Sequence, residues 1–455
     1  MHFGRGSAWL CVIGLGLVTS CVADTDASRA QPSALVMDRV ADGAIPTAAA
    51  CTNPSGKRCF AHVQAAAGHV QPFDAPAGFG PADLQAAYQI PTTITGHPTI
   101  ALIDAYGYSA LESDLGTYRA QFGLPPCTTA NGCLTIVNQN GETSPLPGAP
   151  PSGDDWTLET ALDVDMVSAA CPSCNLLVIQ ADDDQGNGLE VAQGVAAQHN
   201  VAVISNSWGG PEQAGVSLTA EETYFDQSVP IFVAAGDNGY NDGGQGPDYP
   251  GTSAHTIAVG GTHLAKDSSA RGWTETAWSS GGSACSLSIA KPSYQTGTSC
   301  NFKATADIAA VGDPQTGMAS YDSTNGGWSV VGGTSAAAPI VAAIFAATGN
   351  ASQTSGEFIM QNADKLNDVT SGNNGDCGGG ILCNAGKGWD GPTGYGTPNG
   401  KLLVANGGSP DGQADPYGVV SGGCNAEGGP SSLLELVLAI GLVIGLVPIR
   451  RRVRG

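Results

Sequence analysis

The chain has 455 residues, with 17 Lys and Arg against 40 Asp and Glu, a formal charge of −23, and 42% hydrophobic residues. That apolar content fills a sizeable core and excludes a wholly disordered chain, while so acidic a surface repels phosphate backbones and excludes a nucleic-acid binder. Thirteen cysteines in a lysine-poor, acidic chain point to an oxidising compartment and therefore to export.

Taken in chain order, residues 8–20 (AWLCVIGLGLVTS) form an apolar run behind Arg5. It is too short for a membrane span and suits a signal peptide, assigned to residues 1–20. Val18-Thr19-Ser20-Cys21 is similar to a lipoprotein cleavage box, which makes Cys21 a candidate for a lipid; an ordinary signal peptide is the alternative reading. Residues 21–75 are rich in Ala, Ser and Pro with little periodicity and read as a linker or short pro-segment. From 76 to 405 the chain alternates apolar, Val/Ile-rich runs with helical spacing. The runs 99–106, 175–181, 201–208, 230–236 and 256–261 have the look of buried parallel strands, and 156–170 and 188–199 carry helical periodicity. This alternation predicts an α/β fold, a doubly wound, mostly parallel sheet with helices on both faces, whose ligands bind beyond the strand C-termini.

After a Gly/Pro-rich linker over 406–430 come a hydrophobic segment, 431–449, and the basic tail 450–455. The order of Cys424, apolar stretch and Arg cluster resembles a myxosortase-type sorting tail; a plain C-terminal anchor is the alternative. Either places the body outside the cytoplasm, at the cell surface, outer membrane or beyond. Setting aside Cys11, Cys21 and Cys424, ten cysteines remain in close pairs, for which neighbour pairing is expected: 51/59, 127/133, 171/174, 285/300 and 377/383.

Three stretches carry chemistry. In Val330-Val331-Gly332-Gly333-Thr334-Ser335-Ala336-Ala337-Ala338-Pro339 the glycines permit a sharp turn into a small-residue helix, whose free N–H groups and dipole favour an oxyanion beside Ser335. The alternative is a Gly-rich turn with Ser335 as a helix cap. In 155–165 (DWTLETALDVD), Glu159 and Asp163 are four residues apart and share one helix face, where two carboxyls cannot both ionise cheaply. One of them can accept a serine proton while the other orients it. A solvated acidic face is the alternative, opposed by the apolar neighbours Leu158 and Leu162. Third, Val233-Ala234-Ala235-Gly236-Asp237 ends an apolar run in an Asp that, if protonated, could donate to an oxyanion. Among the seven histidines none lies in the strand-end setting that a subtilisin-type triad needs; His263 in Gly261-Thr262-His263 is the nearest candidate.

GGTSAAAP, the Glu159/Asp163 pair and AAGDNG, in the order Glu, Asp, Asp, Ser, resemble the sedolisin family of serine-carboxyl peptidases. Supporting stretches include PADLQAAYQIP, TIALIDAYGY, ISNSWGG, TIAVGGTHL, KPSYQ and ATADIAAVGDPQTG, together covering about residues 76–405. The resemblance implies a subtilisin-like fold and an endopeptidase working in acid on protein or peptide substrates, with Ser335 as nucleophile, Glu159 as general base, Asp163 as its partner and Asp237 in the oxyanion hole. It implies backbone pairing of substrate with Ser207, Trp208 and Gly209, and one structural Ca²⁺ held by Asp368, Asp390 and the carbonyls of Val369, Gly386 and Gly388. A monomer is expected. Two alternatives remain at this point: a catalytically inactive peptide-binding or adhesion module on the same fold, and a His-dependent subtilisin-like protease.

Overall fold

A computed structural model describes residues 44–405 apart from 54–55, 67–68, 71–72, 74 and 214. The signal run, Cys21, Cys424 and the C-terminal segments fall outside the described residues. Among those described, no helix is long and apolar enough to cross a membrane.

The Val/Ile-rich runs form one central sheet. Across it the strands run Trp273–Ala277, Ile257–Lys266, Ile231–Ala234, Val203–Asn206, Thr99–Ala105, Asn175–Ala181 and Leu134–Asn138, with Ile308–Val311 also paired to Ile257–Lys266. All these pairings are parallel except that of Trp273–Ala277, so the interior strands are buried on both faces and read as continuous apolar runs rather than alternating ones. Helices cover both faces of the sheet. Two of them, Trp156–Ala170 and Thr334–Ala347, pack on each other and on the sheet. Every residue of Trp156–Ala170 is buried, which rules out the solvated acidic face for Glu159 and Asp163. Thr334–Ala347 is nearly all Ala and branched aliphatics, and such short side chains let it lie close to both neighbours.

A second, antiparallel sheet joins distant parts of the chain. Its order is Thr47–Ala49, His62–Ala66, Gly327–Gly332 and Met318–Asp322. A short strand, Arg58–Cys59, pairs separately with Trp208–Pro211. Part of the stretch that composition marks as a linker or pro-segment is thus woven into the folded body. The reason is physical: these strands find their pairing partners at residues 208–211 and 327–332, so nothing in their own neighbourhood announces them.

All five neighbour disulfides are present, Cys51–Cys59, Cys127–Cys133, Cys171–Cys174, Cys285–Cys300 and Cys377–Cys383. The KPSYQ and ATADIA stretches meet at a buried ion pair. Lys303 Nζ lies 2.9 Å from Asp307 Oδ2, with both side chains almost fully enclosed. Gln295 bonds both backbone groups of Ala304 at 2.8 Å, and Asp307 Oδ2 accepts from Ala258 N at 2.9 Å, tying this corner to the central sheet.

Candidate active site

The C-terminal ends of three neighbouring strands and the first turns of two helices converge on one point. Asp104 is the next-to-last residue of the strand Thr99–Ala105, Ser207 follows Val203–Asn206, and Asp237 lies three residues beyond Ile231–Ala234. The helix Trp156–Ala170 contributes Glu159 and, one turn on, Asp163; the helix starting at Thr334 contributes Ser335. Gly333, at φ 100°, makes the turn into that last helix, a left-handed conformation in which glycine alone is unstrained.

Ser335 is fully buried. Its Oγ donates to Ser207 O at 3.1 Å and accepts from Phe60 N at 3.1 Å. Pro339, one turn into the helix, has no N–H to give to the Ser335 carbonyl. The Ser207 hydroxyl donates to Asp163 Oδ1 at 2.7 Å, and its Oγ lies 3.4 Å from the Ser335 carbonyl. Ser207 therefore lies between the Ser335-bearing helix and the acidic one.

Asp104, Glu159 and Asp163 form a buried carboxyl cluster. Of its six oxygens only Asp163 Oδ1 has a hydrogen-bond partner. Burial pushes Asp104 up to about 7, with the Thr160 hydroxyl pulling slightly the other way. Glu159 is raised well above the usual carboxylate range, first by burial, then by the negative fields of Asp163 and Asp104; the nearby Ser335 hydroxyl favours its charged form. Asp163 is raised by burial and by Asp104, against the Ser207 bond. Three like groups in one dry site hold protons between them, so a carboxylate here can take one up at a pH where an exposed one would remain charged. Asp104 escapes a reading by local spacing because it is the polar end of an apolar strand; the one signal was an acid placed at a strand C-terminus.

Asp237 faces the serine from the other side. Its Oδ1 accepts from Thr334 N at 2.8 Å and from Thr334 Oγ1 at 2.7 Å. Oδ2 lies 3.6 Å from His62 Nε2. Burial pushes this carboxyl up to about 6, against the pull of His62 and Thr334. Because Oδ1 is committed as an acceptor, a proton on Asp237 resides on Oδ2. His62, and not His263, is the histidine against this group; His263 Nδ1 is bonded to Asp313 Oδ2 at 2.8 Å.

Trp208 and Gly209, with Ser207, present backbone to a strand lying across the site. Cys59 pairs with Trp208 and Arg58 with Gly209, antiparallel, and Phe60 N donates to Ser207 O at 3.1 Å. The strand occupying this place belongs to the chain itself.

The loop expected to hold calcium folds around its two acids. Asp390 Oδ2 accepts from Gly386 N at 2.9 Å and Asp368 Oδ2 from Gly388 N at 3.0 Å. Burial, and to a lesser degree the charge of Asp368, push Asp390 up to about 7. Among the described residues no hydrogen bond reaches the carbonyls of Val369, Gly386 or Gly388. Two carboxylates that repel each other beside free carbonyls form an oxygen donor set that fits Ca²⁺.

A doubly wound sheet carrying a serine at a helix N-terminus beyond its strand ends defines a subtilisin-like scaffold. The chain belongs to the subtilase family, whose model matches residues 140–379, just over half of its length. It is similar to kumamolisin from Bacillus sp. (strain MN-32), at 30% identity over 363 residues, 72% of this chain. It is also similar to sedolisin from Pseudomonas sp. (strain 101), at 31% identity over 360 residues, 70% of this chain. It spans 64% and 60% of the lengths of these two relatives. Among solved structures, Pseudomonas sedolisin, a serine-carboxyl proteinase complexed with two molecules of pseudo-iodotyrostatin, superposes with a TM-score of 0.61 at 25% identity, over 72% of this chain and 98% of that one.

Proposed function

We propose that this protein is an exported serine-carboxyl endopeptidase of the sedolisin type, cleaving proteins and peptides in acid. The observation that carries the reading is Ser335 set between a buried carboxyl cluster, in which only Asp163 Oδ1 has a hydrogen-bond partner, and Asp237 on the other side. In the reaction Ser335 Oγ attacks the peptide carbonyl and Glu159 takes its proton. Asp163, fixed by Ser207, holds Glu159, and Asp104 adds the field that raises the affinity of the pair for that proton. The oxyanion receives the Ser335 N–H and the proton on Asp237 Oδ2. Glu159 then returns its proton to the leaving nitrogen, and water resolves the ester by the same steps in reverse.

The pH dependence follows from signs. Asp237 donates only while protonated, so activity should fall as pH rises through about 6. Asp368, Asp390 and the carbonyls of Val369, Gly386 and Gly388 would hold one Ca²⁺, whose charge would offset the repulsion between the two acids and stiffen the loop. Composition and five disulfides support export; a lipid on Cys21 and retention through the C-terminal tail complete the proposal.

The test is hydrolysis of a denatured protein across the pH range, for the full-length chain and its Ser335→Ala and Glu159→Gln variants. An acid optimum lost in both variants is expected. A neutral or alkaline optimum, or full activity in Ser335→Ala, would refute the reading.

A further inference from the structure

A cavity of about 350 Å³ opens beside the strand Trp208–Pro211. Gly210, Pro211 and Tyr249 line it from two paired strands, and Asp184, Gly186 and Glu190 from the turn into, and the first turn of, the helix Gly188–Gln198. Its charge is one-sided. Asp184 and Glu190 are both buried, and among the described residues that line the cavity only Lys57 is cationic. The Tyr249 hydroxyl donates to Glu221 Oε2 at 3.2 Å. Burial, then Glu221, and to a lesser degree Glu190 and Glu212, raise that phenol well above its ordinary range, so three carboxylates bear on this wall. On the other flank, burial and then the charge of Asp184 push Asp154 up to about 7.

One side chain shows what the cavity accepts. Lys57 Nζ lies 2.9 Å from Glu190 Oε2 and donates to Gly186 O. A cation at a helix start meets the positive end of the helix dipole, so it is the Glu190 carboxylate and the Gly186 carbonyl that make this place favourable to an ammonium. The position of Lys57 along its strand is fixed by backbone. Cys59 pairs with Trp208 and Arg58 with Gly209, and a Cβ on Gly210 would lie 2.7 Å from Gly56 O and 3.3 Å from Lys57 Cα. Phe60 N lies 3.1 Å from Ser335 Oγ. Any chain paired in this register therefore brings to Glu190 the third residue before the one that rests on Ser335.

We propose that this cavity is a specificity pocket for a lysine or arginine side chain of the peptide substrate, three residues before the residue whose carbonyl Ser335 attacks, and that Glu190 selects it. The use on substrates rests on the peptidase reading above; the preference of the cavity for a cation does not. Selection follows from what each occupant does to the buried acids. A basic side chain gives Glu190 and Asp184 a counter-charge, and the volume left beside Lys57 has room for the longer arginine. An apolar one would shut the same two carboxylates away from water with nothing to pair them, and an acidic one would add to their repulsion. Glu190 outweighs Asp184 in this role, because Asp184 already accepts from the Tyr106 hydroxyl at 2.9 Å and from Asn53 Nδ2 at 3.4 Å.

Two measurements test this on the full-length chain. In the first, the wild type and Glu190→Gln digest a mixture of unfolded proteins at about pH 5.5, above the ordinary range of a Glu carboxyl, and the cut sites are read by mass spectrometry. Lys and Arg should be enriched about fivefold at the fourth position before the cut, the weight of a partly exposed ion pair. The enrichment should vanish in Glu190→Gln and survive in part in Glu190→Asp. Cuts with no preference for a basic residue at that position, or a preference that Glu190→Gln leaves unchanged, would overturn the proposal.

The second measurement needs no catalysis. In a Ser335→Ala background, Lys57→Gly removes the ammonium from the cavity. n-Butylammonium, the lysine side chain as a free ion, is then titrated at constant ionic strength beside n-butanol, its neutral counterpart of like shape, with Tm as the readout. The ammonium should raise Tm by about 2 °C more than the alcohol does, and adding Glu190→Gln should erase the difference. Equal shifts would overturn the selection of a cation. If the ammonium is preferred while the wild type cuts no protein, the selectivity of the cavity stands and its use on substrates falls together with the peptidase reading.

Discussion

Replacing Asp104 by asparagine should flatten the dependence of folding stability on pH. Both Asp104 oxygens are buried without a hydrogen-bond partner, and burial moves the group from 3.8 to about 7. The folded protein therefore binds this proton more tightly than the unfolded chain does. The resulting stability is complete below pH 3.8 and is lost as pH rises towards about 7. A shift of about three pH units at 1.36 kcal/mol each amounts to about 4 kcal/mol. Asparagine keeps the shape and cannot titrate, so it removes that slope. It also withdraws a negative field from Glu159 and Asp163, which acts in the same direction. The assay is urea unfolding at about pH 4 and about pH 7.5, with both proteins in a Ser335→Ala background so that neither digests itself. The parent should lose about 4 kcal/mol more than the variant between the two conditions. Equal losses, within about 1 kcal/mol, would refute the claim that Asp104 is held protonated by the fold.

Ser207→Ala leaves Asp163 without its one hydrogen bond. It should cost about 1–3 kcal/mol in urea unfolding and, by raising Asp163 further, move the acid limb of kcat/KM to higher pH. Lys303→Met strands the buried Asp307 carboxylate. A loss of about 3–5 kcal/mol is expected in thermal unfolding, with no change in the pH optimum of whatever fraction stays folded. Chelation of calcium should lower Tm, and Asp390→Ala should lower it comparably and abolish the response to chelator; a chelator-insensitive parent would remove the ion from the proposal.

What the sequence alone determined is what short-range physics determines. Glu159 and Asp163 could be paired on paper because a helix repeats every 3.6 residues, and any two residues four apart share a face. Ser335 could be placed at a helix start because Gly-Gly before a run of small residues says so locally. The cysteine pairs could be matched because they lie 3 to 15 residues apart, and the central strands because burial on both faces makes them continuously apolar. Asp104 is different. It lies on a strand, 55 positions before Glu159 in the sequence, and only the packing of Trp156–Ala170 against that strand gives its carboxyl a partner to repel. The segment 47–66 is different again, since its composition resembles a linker. Its strands are held by Trp208–Pro211 and Gly327–Gly332, and its Phe60 by Ser207 and Ser335. Backbone pairing of that kind is nearly indifferent to side chains, so it leaves little trace in sequence. Only the tertiary structure could decide that the chain lies across its own Ser335.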